Sequence, residues 1–122
     1  ASISALKLAQ LAAQEAADKL GTQIVAIDVS DVFPLADIFL IITAANDRQV
    51  RSIADAISEK LAEENIKSVQ TEGIAEGRWA LLDFNDVIVH IQHAEERIFY
   101  DLERLWRDCP EVELDLVAVD QR

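Results

Sequence analysis

Apolar residues recur at two different periods along this chain, and the change of period marks out its elements. Val50, Ile53, Ala54, Ile57 and Leu61 fall at i, i+3, i+4, i+7 and i+11, the single stripe of an amphipathic helix. Asn46 stands where it can cap that helix, with Gln49 three residues on in the capping-box position. Residues 2–20 predict an earlier helix. Ile3, Leu6, Leu11, Ala13 and Leu20 supply its apolar positions among strong helix formers. Ser2 or Ser4 caps its start, and Gly21 stops it. Its face is thin and mostly alanine, which predicts a helix lying on a surface rather than at the centre.

Strand-like runs fill the intervals. Ile24–Ile27 is short and continuously apolar, and 28–37 is a loop holding Pro34, which cannot donate a ladder hydrogen bond. Ile38–Thr43 is apolar on both parities, the mark of a central strand covered on both faces. Strand, helix and a further strand at Lys67–Thr71 predict a right-handed βαβ crossover joining a parallel pair. Trp79–Phe84 and Val87–Ile91 flank Asn85-Asp86 and predict an antiparallel hairpin. A helix follows from Ala94 to about Asp108, with Ile98, Phe99, Leu102, Leu105 and Trp106 as its apolar stripe. Glu96, Arg97, Asp101, Glu103 and Arg104 lie mostly opposite, and Pro110 ends it. The segment 111–122 is expected to add an edge strand through Leu114, Leu116, Val117 and Val119, or to be mobile. The order α-β-β-α-β-β-β-α predicts an α/β (α+β) fold, a mixed sheet of roughly five strands with helices packed on it. A chain of 122 residues fits one domain.

Charge narrows the partners. Eleven Lys and Arg against 23 Asp and Glu leave a net charge of −12. That opposes direct or sequence-specific nucleic-acid binding, which needs clustered cations, and favours a basic protein partner. The single Cys109 cannot form an internal disulfide, so a reducing, cytoplasmic setting is expected. No apolar run approaches the roughly 18 residues of a membrane span. The Ala-rich first helix carries Glu15 and Asp18 and no basic n-region, so no secretion signal is expected.

The sequence carries little sign of catalytic chemistry. Three glycines leave no Gly-rich phosphate loop. The predicted strands hold no Asp-x-Asp pair to carry Mg²⁺. Asp101/Glu103 sit on a helix, where residues two apart do not share a face. His90 and His93 lie three apart with only carboxylates to complete a metal site, so a hydrogen-bonded, partly buried His90, or one at a contact surface, is expected instead. Cys109 has no base beside it. No catalytic residue, metal or cofactor is therefore expected.

The aromatic residues concentrate between Arg78 and Trp106, which hold both Trp, the only Tyr, both His and two of the four Phe. On the first hairpin strand, Trp79, Leu81 and Asp83 face one side, and Ala80, Leu82 and Phe84 the other. Leu82 and Phe84 suit the core. Trp79 and Leu81 beside Asp83 suit an interaction surface, unless a helix covers that face too; the pattern alone leaves both readings open.

Several stretches, taken together, carry a resemblance. They are Asp28-Val29 with Ala36 through Ile41; Asp47-Arg48-Gln49-Val50 with Ile53-Ala54; and Glu72-Gly73. To these are added Trp79 with Leu82-Asp83-Phe84; Asp86 through His90; and Arg97, Phe99-Tyr100, Leu102-Glu103 and Leu105-Trp106. In this order and spacing, over about residues 5 to 108, the chain resembles the ribosomal silencing factor (Iojap-related) family. It departs from the family's pattern at Thr43-Ala44-Ala45-Asn46, where a Thr-Gly-Thr-Ser-like turn is usual, and at Asn85, where glycine is usual. Asn46 can still cap the helix, and Asn tolerates a positive φ.

The resemblance implies a nucleotidyltransferase-like fold without catalytic residues. It implies a translational repressor that binds protein fourteen of the large ribosomal subunit on the joining face and sterically blocks the small subunit. By matching position, it places the contact on Trp79, Leu81 and Asp83, with His90 nearby and Arg97 or Tyr100 from the last helix. Asp37, Arg48 and Glu72 also belong to the family pattern, with loop bracing or ion pairing an equal reading for them. The alternatives are a nucleotidyltransferase-like enzyme or nucleotide-binding protein, and a scaffold that forms a homodimer through the same apolar face when free.

Overall fold

The structure is a computed structural model, and it describes residues 1–117. A six-stranded mixed sheet runs in the order β3-β4-β5-β2-β1-β6. Its strands are β1 (Thr22–Asp28), β2 (Ile38–Ala44), β3 (Gln70–Glu72), β4 (Trp79–Asp83), β5 (Val87–His93) and β6 (Glu111–Val112). The helices are α1 (Ile3–Asp18), α2 (Asp47–Glu63), α3 (Ala94–Tyr100) and α4 (Leu102–Leu105). Every residue of β2 is buried, as its two-sided apolar run requires. It lies between β5, to which it is parallel, and β1, to which it is antiparallel.

The parallel pair is not the one the sequence order suggests. β3 runs antiparallel to β4 at the far edge, and β4 antiparallel to β5. The hairpin β4–β5 is therefore inserted between β2 and β3, and β5 takes the place beside β2. Val87, Val89 and Ile91 of β5 are buried, whereas all three residues of β3 are exposed. Burial of apolar surface favours the more apolar strand at the centre.

Helices α1 and α2 share one face of the sheet. The thin face of α1 is no surface face: Ala5, Leu8, Ala9, Ala12, Ala13 and Ala16 are buried in the main core with Val50, Ile53, Ile57 and Leu61 of α2. Small side chains let the helix axis approach closely, and Ile3, Leu6 and Leu20, which read as its apolar face, are exposed. Its end is made by Leu20, which takes the left-handed conformation (φ 65°). The Gly21 N–H then donates to the Ala16 carbonyl at 2.8 Å, the longer bond of a Schellman cap. Gly21 sits in a tight place, since a Cβ there would lie 3.0 Å from both the Ala16 carbonyl oxygen and Ile42 Cγ2. At α2, Asn46 Oδ1 accepts from Gln49 N–H at 2.8 Å. The Gln49 side chain reaches back to the N–H of Ala45 at 2.6 Å, one residue beyond the usual capping-box partner.

The other face carries a smaller core of Ile27, Val29, Ala36, Phe39 and Ile41, closed by Phe33, Leu102, Trp106 and Cys109. Here the expected single helix 94–108 is two short ones, broken at Asp101 in the left-handed region (φ 44°). The break splits the expected stripe. Leu102 and Trp106 turn inward, while Ile98, Phe99 and Leu105 are 80%, 80% and 73% exposed. Arg97, expected on the outer face, is buried. After Pro110, only Glu111–Val112 among the described residues pairs as a strand, with β1. The expected contribution of Val119 lies outside the described residues.

Candidate protein-contact site

The smaller core covers β1 and β2 but leaves the β3–β4 end of the same face partly open. Alternation along β4 puts Ala80 and Leu82 into the main core and leaves Trp79, Leu81 and Asp83 half-buried on the open side. Register places Trp79 opposite Gln92, Leu81 opposite His90 and Asp83 opposite Ile88 on β5. On the edge side, Leu81 faces Glu72 and Asp83 faces Gln70. An apolar row is thus rimmed by the carboxylates of Glu72 and Asp83. One Asp83 oxygen accepts from the Asn85 N–H at 2.8 Å in the hairpin turn, where Asn85 holds φ 77°.

Gly73 sets where this row begins. Its φ is +73°, and a Cβ there would lie 2.0 Å from the Trp79 carbonyl oxygen, so only glycine lets the connector pass under the start of β4.

Trp79 is the centre of an aromatic chain. Its ring packs on Tyr100 of α3 with centroids 4.7 Å apart, and Tyr100 packs on Phe99 at 5.0 Å. On the inner side it meets His90 at 5.9 Å, and His90 meets Phe39 at 5.4 Å. Phe39 joins Phe33 and Trp106. The Trp79 indole N–H donates to His90 Nδ1 at 3.1 Å, which leaves the imidazole proton on Nε2. Burial pushes the His90 pKa down to about 4, so the ring is neutral near pH 7 and remains an acceptor.

Of the residues expected at the contact, Trp79, Leu81, Asp83 and Tyr100 therefore share one open area. His90 and Arg97 do not reach it. His90 is 8% exposed and lies beneath Trp79. Arg97 is 6% exposed; its Nε–H donates to Glu103 at 2.8 Å and its guanidinium to Thr43 Oγ at 2.9 Å. Thr43 in turn donates to Gln23 at 3.1 Å. Both side chains brace the surface from below. Phe99 joins the exposed set instead, a residue that helical period had assigned to the core.

Of the three other family-pattern residues, Asp37 and Arg48 lie apart, and Glu72 stands at the rim of the row beside Leu81. Asp37 accepts the Ser2 N–H at 2.9 Å and ties α1 to the loop before β2. Arg48 is exposed on the first turn of α2, and Glu72 accepts from the Gln70 side chain on the edge strand. Among the described residues, no three His, Cys, Asp or Glu side chains gather as metal ligands, and no helix is long and apolar enough to cross a membrane. His93 Nδ1 accepts the Glu95 N–H at the start of α3, away from His90.

Comparison with known proteins adds the family. A family model described as "Ribosomal silencing factor during starvation" matches residues 2–122. A ribosomal silencing factor of Bacillus subtilis is 41% identical over 106 residues, 87% of this chain and 90% of that protein. One of Halalkalibacterium halodurans is 39% identical over 109 residues, 89% of this chain and 93% of that protein. A crystal structure of a Bacillus halodurans protein superposes with a TM-score of 0.79 at 38% identity, covering 88% of this chain and 98% of that one. A Chromobacterium violaceum protein of known structure gives 0.82 at 29% identity over 99% and 98%.

Proposed function

This chain belongs to the ribosomal silencing factor family, a family of translation regulators, and from that premise we propose that it silences ribosomes by steric exclusion. Its partner is a basic protein of the large subunit's joining face, the position of ribosomal protein fourteen. The observation that carries this reading is the half-buried row Trp79, Leu81 and Asp83. The row continues into Tyr100 and Phe99 and is rimmed by carboxylates on a chain of net charge −12. Trp79 anchors the contact, Leu81 and Phe99 widen the apolar patch, and Asp83 meets a cation of the partner. His90 fixes the indole and Arg97 holds α3 in place.

The mechanism needs no chemical step. A domain of this length is about 30 Å across on compact-domain scaling. Seated on one subunit through roughly 800 Å² per partner, it fills space that the other subunit must enter.

Co-sedimentation tests this. The protein travels with free large subunits and lowers their joining with small ones. Trp79→Ala, checked for folding by its melting profile, weakens large-subunit binding by about 30-fold or more, the scale of an interface anchor. Asp83→Lys, which leaves Trp79 in place, also weakens it. Unchanged affinity in both variants removes this surface as the contact. The same row could pair two free copies, which light scattering with and without the partner separates.

A further inference from the structure

On the opposite face of the sheet, α1 carries an arrangement that ribosome binding does not use. Gln10 and Gln14 lie one turn apart. The Gln10 side chain donates to the Asp115 carbonyl at 2.7 Å and accepts the Asp115 N–H at 3.0 Å. Gln14 treats Val117 in the same way, at 2.8 and 2.9 Å. Each amide thus takes both backbone groups of one residue, as a partner residue in an antiparallel sheet does. The periods match: four helical residues rise about 6 Å, and two extended residues about 6.7 Å.

The segment so held is extended and alternating. Val112, Leu114 and Leu116 are partly buried against the main core, and Glu113, Asp115 and Val117 face outward. Its Val112, Glu113 and Leu114 form one wall of a groove whose other wall is Ile3, Leu6, Lys7, Gln10 and Leu11 of α1. Beyond β6 the segment has no strand neighbour among the described residues, and the two glutamines stand in for a sheet edge.

We propose that Gln10 and Gln14 form a backbone-reading peptide site on α1, and that residues 113–117 occupy it as a releasable latch over the apolar groove. The hydrogen bonds specify an extended backbone, and the groove specifies apolar side chains at alternate positions. The ligand class is therefore an extended peptide of alternating apolar and polar residues. The chain's own segment fills the site at high effective concentration because it is tethered through Pro110.

Amide hydrogen exchange on the full chain tests the latch. The amides of Asp115 and Val117 should be protected at least ten-fold over free peptide, yet exchange at least 100-fold faster than those of β2. Gln10→Ala with Gln14→Ala should abolish that protection and leave β2 unchanged. A synthetic peptide of residues 111–117 tests the site. It should bind saturably to a full chain carrying Leu114→Asp and Leu116→Asp, and lose binding when its amides at the Asp115 and Val117 positions are methylated. Exchange of these two amides only together with β2, or protection that survives loss of both glutamines, overturns the latch. Equal binding of the methylated peptide, or no binding, overturns the peptide site. If the double-Asp variant does not fold, a full chain carrying Leu116→Asp alone replaces it in the peptide assay, with the same outcomes.

Discussion

His90 shows how one side chain links stability to the half-buried row that begins at Trp79. It is buried and neutral, with a pKa pushed down to about 4 from the ordinary 6.5. The unfolded chain therefore binds more protons than the folded one between these values, and stability rises with pH through that window. The contribution is complete above about pH 6.5 and is lost as pH falls towards 4. The full shift corresponds to about 3 kcal/mol at 1.36 kcal/mol per pKa unit. Denaturant unfolding at pH 5 and 7 should show the difference, and His90→Gln, which cannot charge, should flatten it. Protonation of Nδ1 also removes the acceptor for the Trp79 indole, so Trp79 fluorescence should change in the same acid range. The alternation of β4 had shown that Trp79, Leu81 and Asp83 share a face. It could not show that His90 on β5 lies beneath them, because cross-strand register is a property of two segments.

Among the elements, the last helix taught most. Its residues do repeat at helical period, so a continuous stripe is a sound reading of the local pattern. The fold instead breaks it at Asp101 and buries a guanidinium. Arg97 satisfies Thr43 and Glu103 at once, and Leu102 and Trp106 still reach the smaller core. Arg97→Ala should leave the Thr43 hydroxyl short of a donor and Glu103 unpaired. Because Glu103 is partly exposed and screened, the expected loss is about 1–3 kcal/mol. Arg97→Lys should restore only part of it, since an ammonium lacks the fork that reaches two partners. Urea unfolding, with near-ultraviolet circular dichroism of Trp106 as a local probe, measures both. Helix α1 makes the converse point: its alanines give little hydrophobic signal, yet small volume is what allows its close packing against α2 and β2.

At the scale of the whole molecule, the proposed contact makes charge a testable term. On that reading, a net charge of −12 facing a basic partner steers the encounter electrostatically. Raising ionic strength from about 0.05 to about 0.5 M, roughly a three-fold fall in Debye length, should slow association with large subunits more than it speeds dissociation. Stopped-flow mixing of labelled protein with isolated subunits reads this; an association rate independent of salt would argue against a charged encounter. The latch on α1 and the Trp79 row lie on opposite faces, so Gln10→Ala with Gln14→Ala should leave ribosome binding intact.

What the sequence by itself determined was local: the capped stripe of α2, the two-sided burial of β2, the β4–β5 hairpin across Asn85-Asp86, and the parity that sets Trp79 apart from Leu82. Its motif order also carried the family resemblance, because those residues mark the turns, caps and strands that the fold requires. Tertiary structure alone decided that β5 rather than β3 pairs with β2, that α1 packs through alanine, that Arg97 and His90 are buried rather than exposed beside Trp79, and that Gln10 meets Asp115 across the chain. Each of these depends on which distant segment buries the most apolar surface or satisfies a polar group. Periodicity reports how a segment presents its side chains and carries no information about which segment will face them.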